Sequence, residues 1–250
     1  AIVSAKPSPP SGTHEIALEE LKYKPDLRVA TLGSEFCANV YRTLTSAATS
    51  DSYEKEVARL GQISKIYGYH VQVVSSAHQQ AAIFYNDTNI FVVFEGSRLD
   101  QVSHYNRNLL TYLRFKYADA PSSIGGRIHY GFNSALDETL VHKSDSTIWS
   151  EVDACIHRLH AAKPDRRLYF AGHSAGGAIA TIAAARSLDA HPDLHIHGLY
   201  TFGQPRVGDR DFKNGLEAAL NKQRTPEEDS MGSRYFRFEQ YGDPMPALPP

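Results

Sequence analysis

The chain has 250 residues, and its 26 Lys and Arg against 28 Asp and Glu leave a formal net charge of −2. This near balance, without a long run of either sign, argues against a nucleic-acid partner or binding to an anionic membrane surface. No apolar run approaches the roughly 20 residues that a membrane-spanning helix needs. We therefore expect no integral membrane segment, and a single domain over residues 1–250.

The first part of the chain predicts an arm, two helices and a group of strands. Residues 1–13 are rich in Pro and small polar side chains, which is typical of an extended N-terminal arm. Helical periodicity follows near residues 28–48 and 53–67. The period then becomes that of strands in HVQVVSS, AAIFYND and NIFVVFEG, and the Asn-rich turn between the last two predicts a hairpin.

Strands alternate with helices in the second part of the chain. The segment RIHYGF (127–132) predicts a short strand, and helices are predicted near 147–162 and 209–222. The segments RRLYFAGH, HIHGLYTFG and RYFRFEQY predict further strands, and SAGGAIATIAAARSLDA predicts a helix of small residues. This alternation indicates an α/β fold with a central, mostly parallel sheet that helices cover on both faces.

The two cysteines, Cys37 and Cys155, leave two alternatives open. They are either two buried thiols or one disulfide, and a disulfide would require an oxidising compartment. The sequence does not decide between them, because it does not give the distance between the two Cα atoms.

The candidate nucleophile is Ser174, in the run Gly172-His173-Ser174-Ala175-Gly176 between an apolar strand and an Ala-rich helix. Glycines on both sides of the serine allow the sharp strand-to-helix turn that lifts its hydroxyl clear of the sheet. The N-terminus of the following helix, including the N–H of Ala175, would then face a developing oxyanion.

Five segments resemble, in order, the signature blocks of class 3 lipases of the fungal triacylglycerol lipase type: VVFEGS, RIHYGF, LYFAGHSAGGAIA, GLYTFGQPRVGD and GDPMPALPP. The resemblance covers about two thirds of the chain and implies an α/β-hydrolase fold. It assigns Ser174 as the nucleophile and Ala175 as one oxyanion donor. It also assigns Ser97, through its backbone N–H and hydroxyl, as the other donor.

The candidate acid is Asp243, which follows the last predicted strand. An acid at the end of a late strand, after the nucleophile in chain order, fits an α/β hydrolase. The family motif Asp-x-x-Pro-x-Leu-Pro-Pro matches Asp243 and the residues that follow it. Its role would be to orient an imidazole and to stabilise the imidazolium.

The catalytic histidine is not found within this chain, because all twelve histidines precede Asp243. In the family it follows the acid by several tens of residues. His173 should point away from the serine hydroxyl and pack, His129 matches a non-catalytic family histidine, and His195 and His197 share one strand face. Either a C-terminal segment is missing or the fold does not hydrolyse esters. We favour the first explanation, because the other catalytic residue types are present.

An amphipathic segment between Ser97 and RIHYGF occupies the position of the family's mobile lid. Leu99, Val102, Tyr105 and Leu109 form one apolar face, which is also compatible with an ordinary surface helix. The family's usual Asn-Trp pair is replaced here by HYNRNLL. The segment is rather polar, as in feruloyl esterases of the same fold.

The resemblance thus implies a secreted, monomeric lipase that hydrolyses acylglycerol esters at an oil–water interface through an acyl-serine intermediate. A feruloyl or other soluble carboxylesterase is the first alternative, and a catalytically inactive lipase-like binding protein is the second. No His, Cys or Asp spacing resembles a metal site, so we expect neither a metal nor an organic cofactor.

Overall fold

The computed structural model describes residues 2–5, 25–41, 50–97, 116–222 and 233–248. Within these ranges the strands are β1 (Ile2–Ala5), β2 (His70–Ser75), β3 (Gln80–Tyr85), β4 (Asn89–Phe94), β5 (Tyr117–Asp119), β6 (Arg127–His129), β7 (Arg167–His173), β8 (Ile196–Phe202) and β9 (Tyr235–Gln240). The helices are α1 (Leu27–Val40), α2 (Ser50–Ile66), α3 (Tyr130–Ala135), α4 (Ile148–Ala162), α5 (Ala175–Ala190) and α6 (Arg210–Lys222).

Seven strands form one central sheet in the order β1-β9-β8-β7-β4-β3-β2. The pairs from β1 to β4 are parallel, and β3 and β2 continue the sheet antiparallel. The predicted hairpin is β3–β4, and the side chain of Asn86 closes its turn by accepting the N–H groups of Thr88 and Asn89. The predicted mostly parallel α/β sheet is therefore confirmed.

Helices cover both faces of the sheet, as the alternation predicted. Successive strand residues point to opposite faces, so Ala171 belongs to the core on the side of α1 and α2, while Phe170 belongs to the core on the side of α3 to α6. On the first face, Phe36 of α1 stacks on Phe84 with ring centroids 4.0 Å apart. On the second face α5 is buried along nearly its whole length, because its Ala and Gly residues allow close approach to the sheet.

The segment RIHYGF does not form a single strand, contrary to the prediction. The strand β6 ends at His129, whose Nδ1 accepts the backbone N–H of Gly131 at 3.1 Å and begins α3. Tyr130, Gly131 and Phe132 are therefore helical. The strand β6 pairs with β5 in a separate two-stranded sheet.

The two cysteines are free buried thiols. Cys37 lies on α1 and Cys155 lies on α4, and the central sheet separates their two cores. A disulfide between them is excluded by this arrangement. Burial raises the pKa of the Cys155 thiol to about 11, which keeps it protonated and unreactive near neutral pH.

The N-terminal arm contributes residues 2–5 as the edge strand β1, which pairs with β9, and residues 6–13 lie outside the described ranges. The helices that the structure describes include none long and apolar enough to cross a membrane.

Candidate active site

Ser174 occupies the turn between β7 and α5, with φ 55° and ψ −130°. It is the one non-glycine residue with a positive φ among the residues that the structure describes. Two backbone hydrogen bonds hold this strained turn: the Ser174 N–H donates to Phe202 O at 2.8 Å, and Gly177 N–H donates to Ser174 O at 2.9 Å. Such strain is typical of a serine that a fold presents for chemistry.

The glycines around Ser174 are required by close backbone contacts. A Cβ on Gly172 would lie 2.2 Å from the carbonyl oxygen of Gly176. A Cβ on Gly176 would lie 2.2 Å from the carbonyl oxygen of Phe94, at the end of β4. Glycine at both positions therefore allows the start of α5 to pack directly against the ends of β7 and β4.

The two candidate oxyanion donors belong to the two segments that meet here, the start of α5 and the residues after β4. Ala175 is the first residue of α5 and is buried, and the first N–H groups of a helix have no acceptor within the helix. Ser97 follows β4 and is partly exposed. Its neighbour Gly96 approaches the elbow so closely that a Cβ there would lie 2.5 Å from His173 O. The structure thus brings Ser97 to the same sheet edge as Ser174.

Asp243 is partly buried just beyond β9. Its Oδ1 accepts the backbone N–H of Met245 at 2.9 Å, and this bond fixes the carboxylate. A Cβ on Gly203, which follows β8, would lie 3.0 Å from Asp243 Oδ2. Asp243 therefore lies at the carboxyl edge of the parallel strands, where β4 and β7 also end and where open α/β sheets place their sites.

His173 contacts a residue that the sequence did not connect with the site. Its Nδ1 and the hydroxyl of Tyr41, just past α1, share a hydrogen bond of 2.8 Å. Its Nε2 would lie 3.8 Å from the same Gly203 Cβ position that Asp243 approaches. The residue is exposed at the end of β7, but its ring contacts the side chain of Tyr41, so the predicted packing is partial. Tyr41 lies in no motif, and only the folded chain reveals its contact.

The pKa of His173 responds to two opposing effects. Desolvation by the surrounding protein lowers the pKa of the imidazole, and the negative charge of Asp243 raises it by a smaller amount. The net pKa is below the ordinary value for histidine, which favours the neutral ring near neutral pH.

The other histidines singled out in the sequence have structural contacts. His129 is buried and begins α3, as described above. His195 and His197 share one face and stack with ring centroids 4.3 Å apart, as expected. Among the described residues, no hydrogen bond joins Ser174 to a histidine. The candidate lid residues Leu99, Val102, Tyr105 and Leu109 lie outside the described ranges.

We predict that Asp243→Asn lowers the pKa of His173 further. The substitution removes the negative charge that stabilises the imidazolium and leaves the desolvation in place. Titration of the His173 ring protons by NMR measures this pKa directly. Asp209→Asn is the control, because Asp209 contacts Arg127 rather than His173. An unchanged or raised pKa in Asp243→Asn would show that the two side chains are not coupled.

The mostly parallel sheet, the strained Ser174 and the helix that starts after it define the class of protein as an α/β hydrolase, with Ser174 at the strand-to-helix turn. Residues 91–250 match the family described as Lipase (class 3), which is more than half of the chain. The chain belongs to the class 3 lipase family.

Similar proteins of known sequence include two fungal lipases. The secreted mono- and diacylglycerol lipase 1 of Fusarium solani is 32% identical over 144 residues, 58% of this chain and 36% of that protein. A lipase of Rhizomucor miehei is 26% identical over 228 residues, 90% of this chain and 54% of that protein. The chain therefore spans about a third to a half of the length of these relatives.

Solved structures of fungal lipases share the fold. The lipase of Rhizopus microsporus var. chinensis superposes with a TM-score of 0.62 at 21% identity, covering 90% of this chain and 69% of that one. A fungal lipase in complex with an inhibitor gives a TM-score of 0.61 at 22% identity, with 90% and 75% covered. At this identity the likeness establishes the α/β-hydrolase fold alone.

Proposed function

We propose that this chain forms a single α/β-hydrolase domain of a secreted lipase that hydrolyses carboxylic ester bonds of acylglycerols. The observation that carries the proposal is the strained Ser174 at the start of α5, with Asp243 at the same sheet edge. The Fusarium relative is named as a secreted lipase of mono- and diacylglycerols. A structural neighbour is a triacylglycerol lipase whose catalytic centre is formed by a serine protease triad.

In the proposed reaction, Ser174 Oγ attacks the ester carbonyl carbon and its proton passes to an imidazole. The tetrahedral intermediate places its oxyanion against the Ala175 N–H and the N–H and hydroxyl of Ser97. Its collapse breaks the bond to the alcohol, which leaves with the proton from the imidazolium, and an acyl-serine remains. Water, deprotonated by the same imidazole, then releases the fatty acid and restores the Ser174 hydroxyl.

Asp243 has the role of the carboxylate that orients the imidazole and stabilises its protonated form. The imidazole itself belongs at the family's position after Asp243. His173 is not proposed for this role, because its Nδ1 is hydrogen-bonded to Tyr41 and it directly precedes Ser174 on β7. We therefore expect ester hydrolysis to require an imidazole other than that of His173, because a serine without a positioned base is a weak nucleophile.

The proposed partner is a lipid ester at an oil–water interface, bound by a monomer. By its resemblance to the family, the amphipathic segment around Leu99 would act as the lid. Nothing in the proposed reaction requires a metal or an organic cofactor, since the nucleophile, the oxyanion donors and the acid are all protein groups.

Substrate presentation tests this proposal in the natural protein. We predict that the hydrolysis rate on tributyrin rises several-fold when the substrate passes from dissolved monomers to an emulsion, because the interface opens the lid. Titration of the released acid measures the rate, and p-nitrophenyl butyrate below its solubility limit is the control. Preference for methyl ferulate without this rise would favour the soluble esterase. Lipid binding without turnover of any ester would favour the inactive binding protein.

A further inference from the structure

Three side chains far from Ser174 bring potential metal ligands together on the surface. Asp153 and His157 belong to α4, and His191 follows the end of α5. His157 Nε2 lies 2.8 Å from His191 Nε2, and His191 Nε2 lies 2.9 Å from Asp153 Oδ1. All three ligand atoms lie within 4.8 Å of one another. We propose that Asp153, His157 and His191 form a binding site for a divalent transition-metal cation of the zinc type.

The backbone holds these ligands in place. Asp153 and His157 are separated by four residues on one helix, so they share a face of α4. The backbone N–H of His191 donates to Ser187 O at 2.9 Å and fixes this residue at the end of α5. The side chains of Asp153 and His191 are about a quarter exposed, and His157 is exposed. A cation therefore has access from solvent to ligands that are already partly ordered.

Two close contacts within the cluster compete for one ring nitrogen, His191 Nε2. A neutral imidazole nitrogen carries either one proton or one lone pair. If His191 Nε2 carries the proton, it can donate to Asp153 but offers no lone pair to His157. If it carries the lone pair, it can accept from His157 but faces the Asp153 carboxylate without a proton. A divalent cation at the centre would instead accept lone pairs from both nitrogens and from the carboxylate.

The ligand set selects the kind of metal. Two imidazoles and one carboxylate suit zinc and neighbouring transition metals, whereas magnesium prefers oxygen ligands in an octahedron. Around a tetrahedral zinc with bonds near 2.0 Å, ligand atoms lie roughly 3.3 Å apart. The observed contacts of 2.8 and 2.9 Å need to open only slightly, which rotation of the exposed His157 side chain allows. Water would complete the coordination.

The position of the site indicates a stabilising role. It joins α4 to the C-terminal end of α5, whereas Ser174 lies at the N-terminal end of the same helix. With 16 residues, α5 is about 24 Å long, so a cation at the site would not touch an ester bound at Ser174. The proposal therefore does not depend on the proposed lipase function.

The sequence did not reveal this site, and the expectation of no metal site came from residue spacing. Asp153 and His157 alone are a pair of residues four positions apart on one helix, and such pairs are common without a metal. His191 lies 34 residues after His157, and only the packing of α5 beside α4 brings it close.

Zinc titration of the protein tests the proposal. We expect isothermal titration calorimetry to give one saturable zinc site per chain, and saturating zinc to raise the Tm by several degrees. Magnesium at the same concentration should do neither. His157→Ala and Asp153→Asn should each weaken zinc binding by about tenfold or more and remove the rise in Tm.

His78→Ala is the matched control, because His78 is an exposed histidine outside the cluster. It should keep the affinity and the rise in Tm of the unaltered protein. Circular dichroism without zinc establishes that each variant is folded, which we expect because His157 and Asp153 are not core residues. No stoichiometric zinc binding, or undiminished binding in both cluster variants, would overturn the proposal.

Discussion

Replacing Ser174 by Ala is expected to abolish ester hydrolysis by the natural protein, with kcat falling by about four to six orders of magnitude. The Oγ atom is the proposed nucleophile, and alanine offers no atom that could form the acyl intermediate. The fold should be retained, because the Ser174 side chain makes no capping hydrogen bond to α5. Initial rates on p-nitrophenyl butyrate, together with thermal unfolding, measure the two effects separately.

A second serine on the same helix provides the control for this loss. Ser187 is fully buried near the other end of α5, and its Oγ has no hydrogen-bond partner in the described part of the chain. Ser187→Ala removes a buried hydroxyl that is not satisfied, which is neutral or stabilising, and should leave the rate unchanged. Undiminished hydrolysis by Ser174→Ala would remove Ser174 from the mechanism and would require another nucleophile.

The elements around the site could be predicted because their causes are local. The apolar strand before Ser174 and the small residues after it indicate a buried strand and a closely packed helix, and both are observed. The Asn-rich turn after β3 could be predicted for the same reason, because its hydrogen bonds join residues two and three positions apart. Where the sequence prediction was wrong, at RIHYGF, a histidine side chain begins a helix that strand propensity does not reveal.

The contacts between distant segments could not be predicted from the sequence. The pairing of Tyr41 with His173 joins the end of α1 to β7, and neither residue carries a periodic or motif signal for the other. The separation of the two cysteines also depends on which face of the sheet each helix covers. In both cases the distance between the two residues depends on the three-dimensional path of the chain.

The elbow glycines should also be sensitive to substitution, although less so than the proposed nucleophile Ser174. We predict that Gly176→Ala destabilises the protein by about 1–3 kcal/mol or more and lowers kcat by about a hundredfold in the fraction that remains folded. The new Cβ would lie 2.2 Å from Phe94 O and 2.8 Å from the carbonyl carbon of Glu95. These are backbone atoms, so the end of β4 must move, and Ser97 moves with it. Urea unfolding and initial rates measure the two losses.

Gly61→Ala is the matched control and should have the opposite sign. Gly61 lies within α2, and apart from the neighbouring backbone of this helix no atom comes within 4 Å of a Cβ built there. Alanine should therefore stabilise the protein by about 0.5–1 kcal/mol through helix propensity and lower unfolded-state entropy. The same gain is available in principle at Gly176, which is also helical, so a loss there isolates the cost of the contact with β4. A Gly176→Ala protein as stable and active as the Gly61→Ala protein would show that the elbow can open without disturbing β4, and that its close packing is not needed for catalysis.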